Sequence, residues 1–177
     1  KPSKEMLQRI WDQGLPAEPV LAPGACWDEP QVVFNKIITT EPDGVRHVGH
    51  PIGYASNAAP YKGPPKTGAL PLSGVRVVDF GAFVAGPFAS VVLADLGAEV
   101  IKVETPALDP NRSIFRSYSA ANRGKLAITL DLKDKGDLQT AKDICAASQI
   151  VTSNFPGGVS TRLGLPPVQL HAGKPGV

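Results

Sequence analysis

Histidine, cysteine and methionine are scarce in this 177-residue sequence, with three, two and one copies. Cys26 and Cys145 stand far apart, which gives neither a disulfide framework nor a metal-site spacing. His47, His50 and His171 have no Cys or carboxylate at a ligand interval, so no metal centre is expected. Their scatter also leaves no Ser–His–Asp or Cys–His arrangement. Charge of one sign is missing too. Eighteen Lys and Arg stand against sixteen Asp and Glu, a net charge of +2 spread along the chain, so no nucleic-acid partner is expected. The uncharged stretch 80–94 is interrupted by Gly81, Gly86, Pro87 and Ser90 and is too short and broken for a membrane span. No apolar signal segment follows Lys1, so a soluble, cytoplasmic protein is expected.

What remains is globular in character. Hydrophobic residues make up 42% and charged residues 19%, more apolar than a disordered chain. The length predicts one domain, or one plus a piece of another. Lys1 and the closing Lys174-Pro175-Gly176-Val177, which lacks a secondary-structure pattern, both read as cuts.

Two textures divide the chain. Residues 1–70 are rich in Pro and Gly. Ser3 is placed to cap a helix whose Met6, Leu7, Ile10 and Trp11 share a face, with Gly14 beyond its end. Residues 17–21 read as extended, and Asp28 with Pro30 opens a brief helix through Phe34. Residues 37–40 and 45–48 flank the turn Glu41-Pro42-Asp43-Gly44 and predict two strands. Residues 50–71, with Pro51, Pro60, Pro64, Pro65 and Pro71, read as a linker.

From residue 72 the rhythm is stronger. Residues 75–80 read as a strand covered on both faces. A Gly-bounded loop then leads to a helix expected to begin near Pro87, with Phe88, Val91, Val92 and Leu96 on one face and Gly97 at its end. Residues 99–104 and 127–131 read as further strands, separated by a polar loop. Asp134 is placed to cap a helix presenting Leu138, Ala141, Ile144 and Cys145, and residues 149–152 read as a fourth strand. This alternation predicts an α/β fold: a Rossmann-like, open, mainly parallel sheet with flanking helices, preceded by an irregular Pro-rich segment.

In such a sheet ligands lie beyond the carboxyl ends of the strands, so the loops 81–86, 105–125 and 153–158 should converge on a crevice. The first loop carries no acid–base side chain. It offers backbone to a ligand at a helix N-terminus, or else is a tight turn that needs small residues. Neither G-x-G-x-x-G nor a phosphate loop is present: Gly124-Lys125 is followed by Leu126. Asn122-Arg123-Gly124-Lys125 reads as a cation pair for a polyanion or as a solvated basic turn. Asn154-Phe155-Pro156-Gly157-Gly158, with Arg162 beyond it, reads as an amide-rich loop or an ordinary strand-end turn. Asp79 and Asp95 read as local caps or surface groups, and Glu104 as a strand end without a base partner.

Taken together, Ser73-Gly74-Val75-Arg76-Val77-Val78-Asp79-Phe80, Ala85-Gly86-Pro87-Phe88 and Asp95-Leu96-Gly97-Ala98-Glu99-Val100-Ile101-Lys102-Val103-Glu104 resemble the opening of the family III CoA-transferases of the CaiB/BaiF type. Asn122-Arg123-Gly124-Lys125, Leu130-Asp131-Leu132-Lys133 and Asn154-Phe155-Pro156-Gly157-Gly158-Val159 continue the resemblance in order, over residues 71–165. Residues 5–60, through Gln13-Gly14-Leu15-Pro16 and Asp28-Glu29-Pro30-Gln31-Val32, resemble the family's C-terminal stretch. The resemblance therefore implies a junction of two tandem units. Residues 1–70 would be the tail and linker of one unit, and residues 71–177 the CoA-binding head of the next.

The resemblance implies transfer of CoA between carboxylic acids through an aspartyl mixed anhydride. In the family that Asp lies downstream of the Asn-Phe…Pro-Gly motif, so no catalytic residue is assigned here and the chain alone is expected to be inactive. Acyl-CoA is implied as substrate with a carboxylic acid as partner, and no cofactor is bound tightly. The positions implied to contact CoA are Val84, Ala85, Gly86, Asn122, Arg123, Lys125, Asn154 and Arg162. Thr105 stands where many relatives carry a CoA-binding Arg. The family also implies an interlocked dimer or a tandem pseudo-dimer for the whole protein. Two alternatives are a 2-methylacyl-CoA racemase of the same fold and a non-catalytic CoA- or nucleotide-binding module.

Overall fold

The computed structural model describes residues 3–50, 52 and 70–167. The greater part of the expected linker, His171 and the C-terminal tail lie outside the described residues. The chain divides into two compact units, residues 1–56 and 57–177. Among the described residues no helix is long and apolar enough to cross a membrane.

In the first unit, α1 (Ser3–Trp11) stops at Gly14, whose φ of 67° suits the left-handed position after a helix end. The Leu15 N–H then reaches back to the Ile10 carbonyl. Residues 17–21 join no strand. A 3-10 turn, Ala25–Asp28, precedes α2 (Pro30–Phe34), which Glu29 rather than Asp28 immediately precedes. Asp28 instead pairs with Arg46, 2.6 Å away. The expected strands form an antiparallel hairpin of β1 (Ile38–Thr40) and β2 (Arg46–Val48). Its turn is closed by Gly44 N–H donating to the Glu41 carbonyl, with Gly44 at φ 85°.

The second unit is the expected parallel sheet. Strands β3 (Arg76–Asp79), β4 (Glu99–Glu104), β5 (Leu126–Thr129) and β6 (Ile150–Thr152) lie in the order β5-β4-β3-β6. Every neighbouring pair is parallel: Asp79 aligns with Lys102 and Thr152, and Lys102 with Ala127. The third strand ends two residues earlier than expected. β4 stops at Glu104, opposite Thr129, and Leu130 and Leu132 turn into the core instead.

Alternation on β3 sends its side chains to two different layers. Val78 and Phe80 join Val103, Leu130, Leu132 and Leu165 against Ala141 and Cys145 of α5 (Lys135–Ala146). Leu138 and Ile144 complete that face, as expected. Asp134 caps α5 by accepting from the Gly136 and Asp137 N–H groups. Val77 instead packs with Ala98 and Val100 against Leu93 and Ala94 of α3 (Ala85–Asp95).

Helix α3 corrects two expectations. It begins at Ala85, so Pro87 stands at its third position, still inside the first turn, where a missing N–H breaks no bond. Its buried side chains are Pro87, Ser90 and Val91, while Phe88, Val92 and Leu96 are 55%, 45% and 40% exposed. The helix is apolar nearly all round, so periodicity does not select the buried face. The stretch read as a polar loop contains a 3-10 turn, Pro110–Ser113, and a full helix, α4 (Phe115–Asn122). A short α6 (Val159–Arg162) follows β6.

Candidate functional site

The chain leaves β3, adds β4 and β5 on one side, then returns to place β6 on the other. The strand order therefore reverses between β3 and β6. An open parallel sheet parts its loops at this switch point, and ligands bind there. The loops concerned are 80–84, after β3, and 153–158, after β6.

Gly81 and Gly86 let these loops meet. A Cβ on Gly86 would sit 2.8 Å from Gly81 Cα and 2.9 Å from both Cγ and Oδ1 of Asn154. The Asn154 amide bridges to both backbone groups of one residue: its Oδ1 accepts the Ala82 N–H at 2.9 Å and its Nδ2 donates to the Ala82 carbonyl at 3.0 Å. The close backbone approach allowed by Gly86 is thus to the protein itself. Val84 remains 54% exposed at the α3 N-terminus, where the first intrahelical bond is Phe88 N–H to the Val84 carbonyl. The Ala85 and Gly86 N–H groups precede that bond.

Beneath the loop lies a row of buried charges. Asp79, whose side chain is fully buried, accepts four hydrogen bonds. These come from Gly81 N–H at 2.8 Å and Thr152 Oγ1 at 3.1 Å on Oδ1, and from Ser90 Oγ at 2.6 Å and Lys125 Nζ at 3.0 Å on Oδ2. Burial pushes its carboxyl up, but the Ser90, Lys125 and Gly81 donors outweigh burial and hold it below the usual carboxylate range. The Lys125 side chain is 1% exposed and spends its three protons on Asp79, the Pro87 carbonyl (2.7 Å) and Asn122 Oδ1 (3.1 Å). Burial pulls its ammonium below the usual lysine value against the opposing pull of Asp79.

Lys102, also 1% exposed, donates to the Gly81 carbonyl at 2.7 Å and to Asp109 at 3.1 Å. Glu104 accepts from Arg112 Nε and Tyr118 Oη, each at 2.7 Å, and the Arg112 guanidinium lies 4.4 Å above the Tyr118 ring. Burial, then the Glu104 bond, push the Tyr118 hydroxyl up to about 12. A raised phenol contributes stability that is full below its unfolded value of about 10 and is lost as pH rises through about 12. Ultraviolet titration of the native protein should therefore show a tyrosine, Tyr118, that ionises late. A Tyr118→Phe variant that leaves the late phase unchanged would contradict the Tyr118–Glu104 bond.

The expected site residues thus fall into three groups. Val84, Ala85, Gly86 and Asn154 come together at the switch point, with Asn154 as the clamp. Asn122 and Lys125 belong to the interior framework, since Lys125 has no proton left for a phosphate. Arg123 donates to the Ala120 carbonyl and pairs with Asp95, where α3 ends, roughly 15 Å along the axis from Ala85. Arg162 is exposed on α6, and among the described residues its guanidinium makes no hydrogen bond or ion pair.

Sequence reading missed the buried charges. Asp79 does cap locally, through Gly81, but its bonds to Lys125 and Thr152 span 46 and 73 residues. A usable signal was the placing of Lys102 and Glu104 on the same face as Val100 in a strand expected to be central, since buried charges require partners.

The profile of the family described as CoA-transferase family III matches residues 72–177. The alpha subunit of succinyl-CoA–L-malate CoA-transferase from Chloroflexus aurantiacus is 36% identical over 143 residues, 72% of this chain and 33% of that one. A probable fatty acyl-CoA transferase of Mycobacterium tuberculosis is 38% identical over 122 residues, 63% of this chain and 31% of that one. An orthorhombic crystal structure of that mycobacterial protein superposes with a TM-score of 0.58 at 40% identity, over 62% of this chain and 31% of its own. A CAIB/BAIF family protein from Brucella suis superposes with a TM-score of 0.56 at 33% identity, over 58% of this chain and 30% of its own. The chain spans about a third of the length of the curated relatives it matches. With a matching profile over most of the second unit and a sheet shared with solved members, this chain belongs to CoA-transferase family III.

Proposed function

We propose that residues 71–177 form the acyl-CoA-binding head of an enzyme that exchanges CoA between carboxylic acids through an aspartyl mixed anhydride. The nucleophile would come from outside the described residues, and this chain alone would bind CoA without turning it over. Residues 1–70 would be the tail and linker of a preceding unit. The observation that carries the reading is the reversal of strand order between β3 and β6, which brings the loops after both strands together, with Asn154 bridging to Ala82. Of the relatives named above, one is a CoA-transferase subunit and one a probable fatty acyl-CoA transferase, which favours transfer over racemisation of 2-methylacyl-CoA.

In this reading the residue 84–86 backbone faces the ligand, Asn154 holds the loop, and Arg162 meets a CoA phosphate. A charge-assisted contact of about 1.5–3 kcal/mol makes Arg162→Ala weaken CoA binding roughly tenfold or more. High salt should weaken the wild type as well. Arg123→Ala, at the far end of α3, should matter much less. Calorimetric titration of CoA into the three proteins checks this. Equal affinity of wild type and Arg162→Ala would overturn the phosphate assignment.

A further inference from the structure

The loop after β3 is held at three successive residues by side chains from outside it. The Gly81 carbonyl accepts from Lys102 Nζ at 2.7 Å, Ala82 is clamped by Asn154, and the Phe83 carbonyl accepts from Asn111 Nδ2 at 2.9 Å. Phe83 adopts φ 62°, a left-handed conformation that a non-glycine residue takes only when its surroundings impose it.

Two of the three holders share one organiser. Asp109 Oδ2 lies 3.1 Å from Lys102 Nζ, while its Oδ1 accepts the Asn111 N–H at 2.9 Å. Asp109 and Asn111 are 6% and 7% exposed. Filling this space needs no charge, and burying charge is costly unless every group is paired. What the charged set adds is direction. A trans peptide points its C=O and N–H to opposite sides, so drawing the Phe83 carbonyl toward Asn111 turns the Val84 N–H the other way.

We propose that Asp109 is a positioning residue: it aims Lys102 and Asn111 at the carbonyls of Gly81 and Phe83, and so sets which way the amides of residues 84–86 face. Its consequence for ligand binding rests on the reading that these amides face CoA, whereas its effect on the loop is measurable without ligand.

The test is amide hydrogen exchange and CoA titration, followed by NMR, on the full chain and two variants. Asp109→Asn keeps an acceptor for the Asn111 N–H but removes the charge facing Lys102. Asn111→Ala removes the donor to Phe83 and leaves the buried ion pair intact, so it reports even if the first variant folds poorly. Exchange at Gly81, Ala82 and Phe88, whose N–H groups are hydrogen-bonded in and beside the loop, is expected to rise at least about tenfold more than at Val77 and Val103, which report global opening. CoA affinity is expected to fall about fivefold or more. An equal rise at all these amides would overturn the proposal and make Asp109 a general stabiliser. A selective loop response with unchanged CoA affinity would uphold the positioning role and overturn the CoA reading of the loop.

Discussion

Replacing Lys125 by Met is expected to destabilise the protein by about 3–5 kcal/mol, because it leaves the Asp79 carboxylate buried without its cation. The side chains of both partners are at most 1% exposed, so water does not take the place of the lost ammonium. The Pro87 carbonyl and Asn122 Oδ1 lose a donor in the same step. In the wild type, Asp79 lies below its ordinary 3.8, so its stabilising contribution is complete above that value and falls away only in stronger acid. In the variant Gly81, Ser90 and Thr152 still donate to Asp79 but the ammonium is gone, so the carboxyl moves up from its wild-type position and stability is lost as pH rises through that higher value. The deficit should therefore be larger at pH 7 than at pH 4.5. Asp79→Asn combined with Lys125→Met should recover part of it, because the amide keeps an acceptor for Gly81 and Thr152. Urea denaturation of the three proteins at both pH values measures this. A deficit below about 1 kcal/mol at pH 7 would mean that the pair is solvated.

The second large effect is expected at Gly86. An added methyl would meet Gly81 Cα at 2.8 Å and Asn154 Cγ and Oδ1 at 2.9 Å. Gly81 is backbone tied to Asp79 and Lys102, and the Asn154 amide is fixed by two bonds to Ala82, so neither neighbour yields cheaply. Overpacking costs about 1–3 kcal/mol, and displacing Asn154 adds the loss of its two hydrogen bonds. Gly86→Ala should therefore lower stability by at least about 2 kcal/mol and disrupt the loop that the proposed site uses. Gly157→Ala is the control: its Cβ would meet nothing within 4 Å, so a change within about 0.5 kcal/mol is expected. Equal losses for the two variants would show that the contact between the loops does not set the geometry.

The parallel sheet was legible in the sequence because its signals are local. β4 has the expected bounds, Glu99–Glu104, and Asp134 caps α5 as its spacing implies. The core face of α3 was not legible, since Phe88 and Val92 are as apolar as Val91 and only the neighbouring strands decide which is buried. Helix α4 escaped because FRSYSAAN is short, with Phe115 76% exposed and only Ala121 buried. Even so, Asp109 just before the preceding 3-10 turn and Pro110 at its first position carry a cap-and-proline signature, and the Asp109 side chain does accept from the Asn111 N–H there. Arg123 and Lys125 looked like a cation pair because proximity in sequence suggested a shared ligand. Gly124, at φ 74°, lies between them, and their partners are different: Asp95, the last residue of α3, and Asp79, the last residue of β3. No local pattern encodes a bond between residues 46 positions apart.

The central claim is that CoA binds where the loops after β3 and β6 meet. Titrating CoA into isotope-labelled protein and following every backbone amide tests it directly, because weak binding still moves resonances. The account predicts shifts concentrated at Ala82, Phe83, Val84, Ala85 and Gly86, at Asn154, Gly157 and Gly158, and at Arg162. Shifts confined to Arg123, Asp95 and the opposite end of the sheet, or no shifts at millimolar CoA, would contradict it.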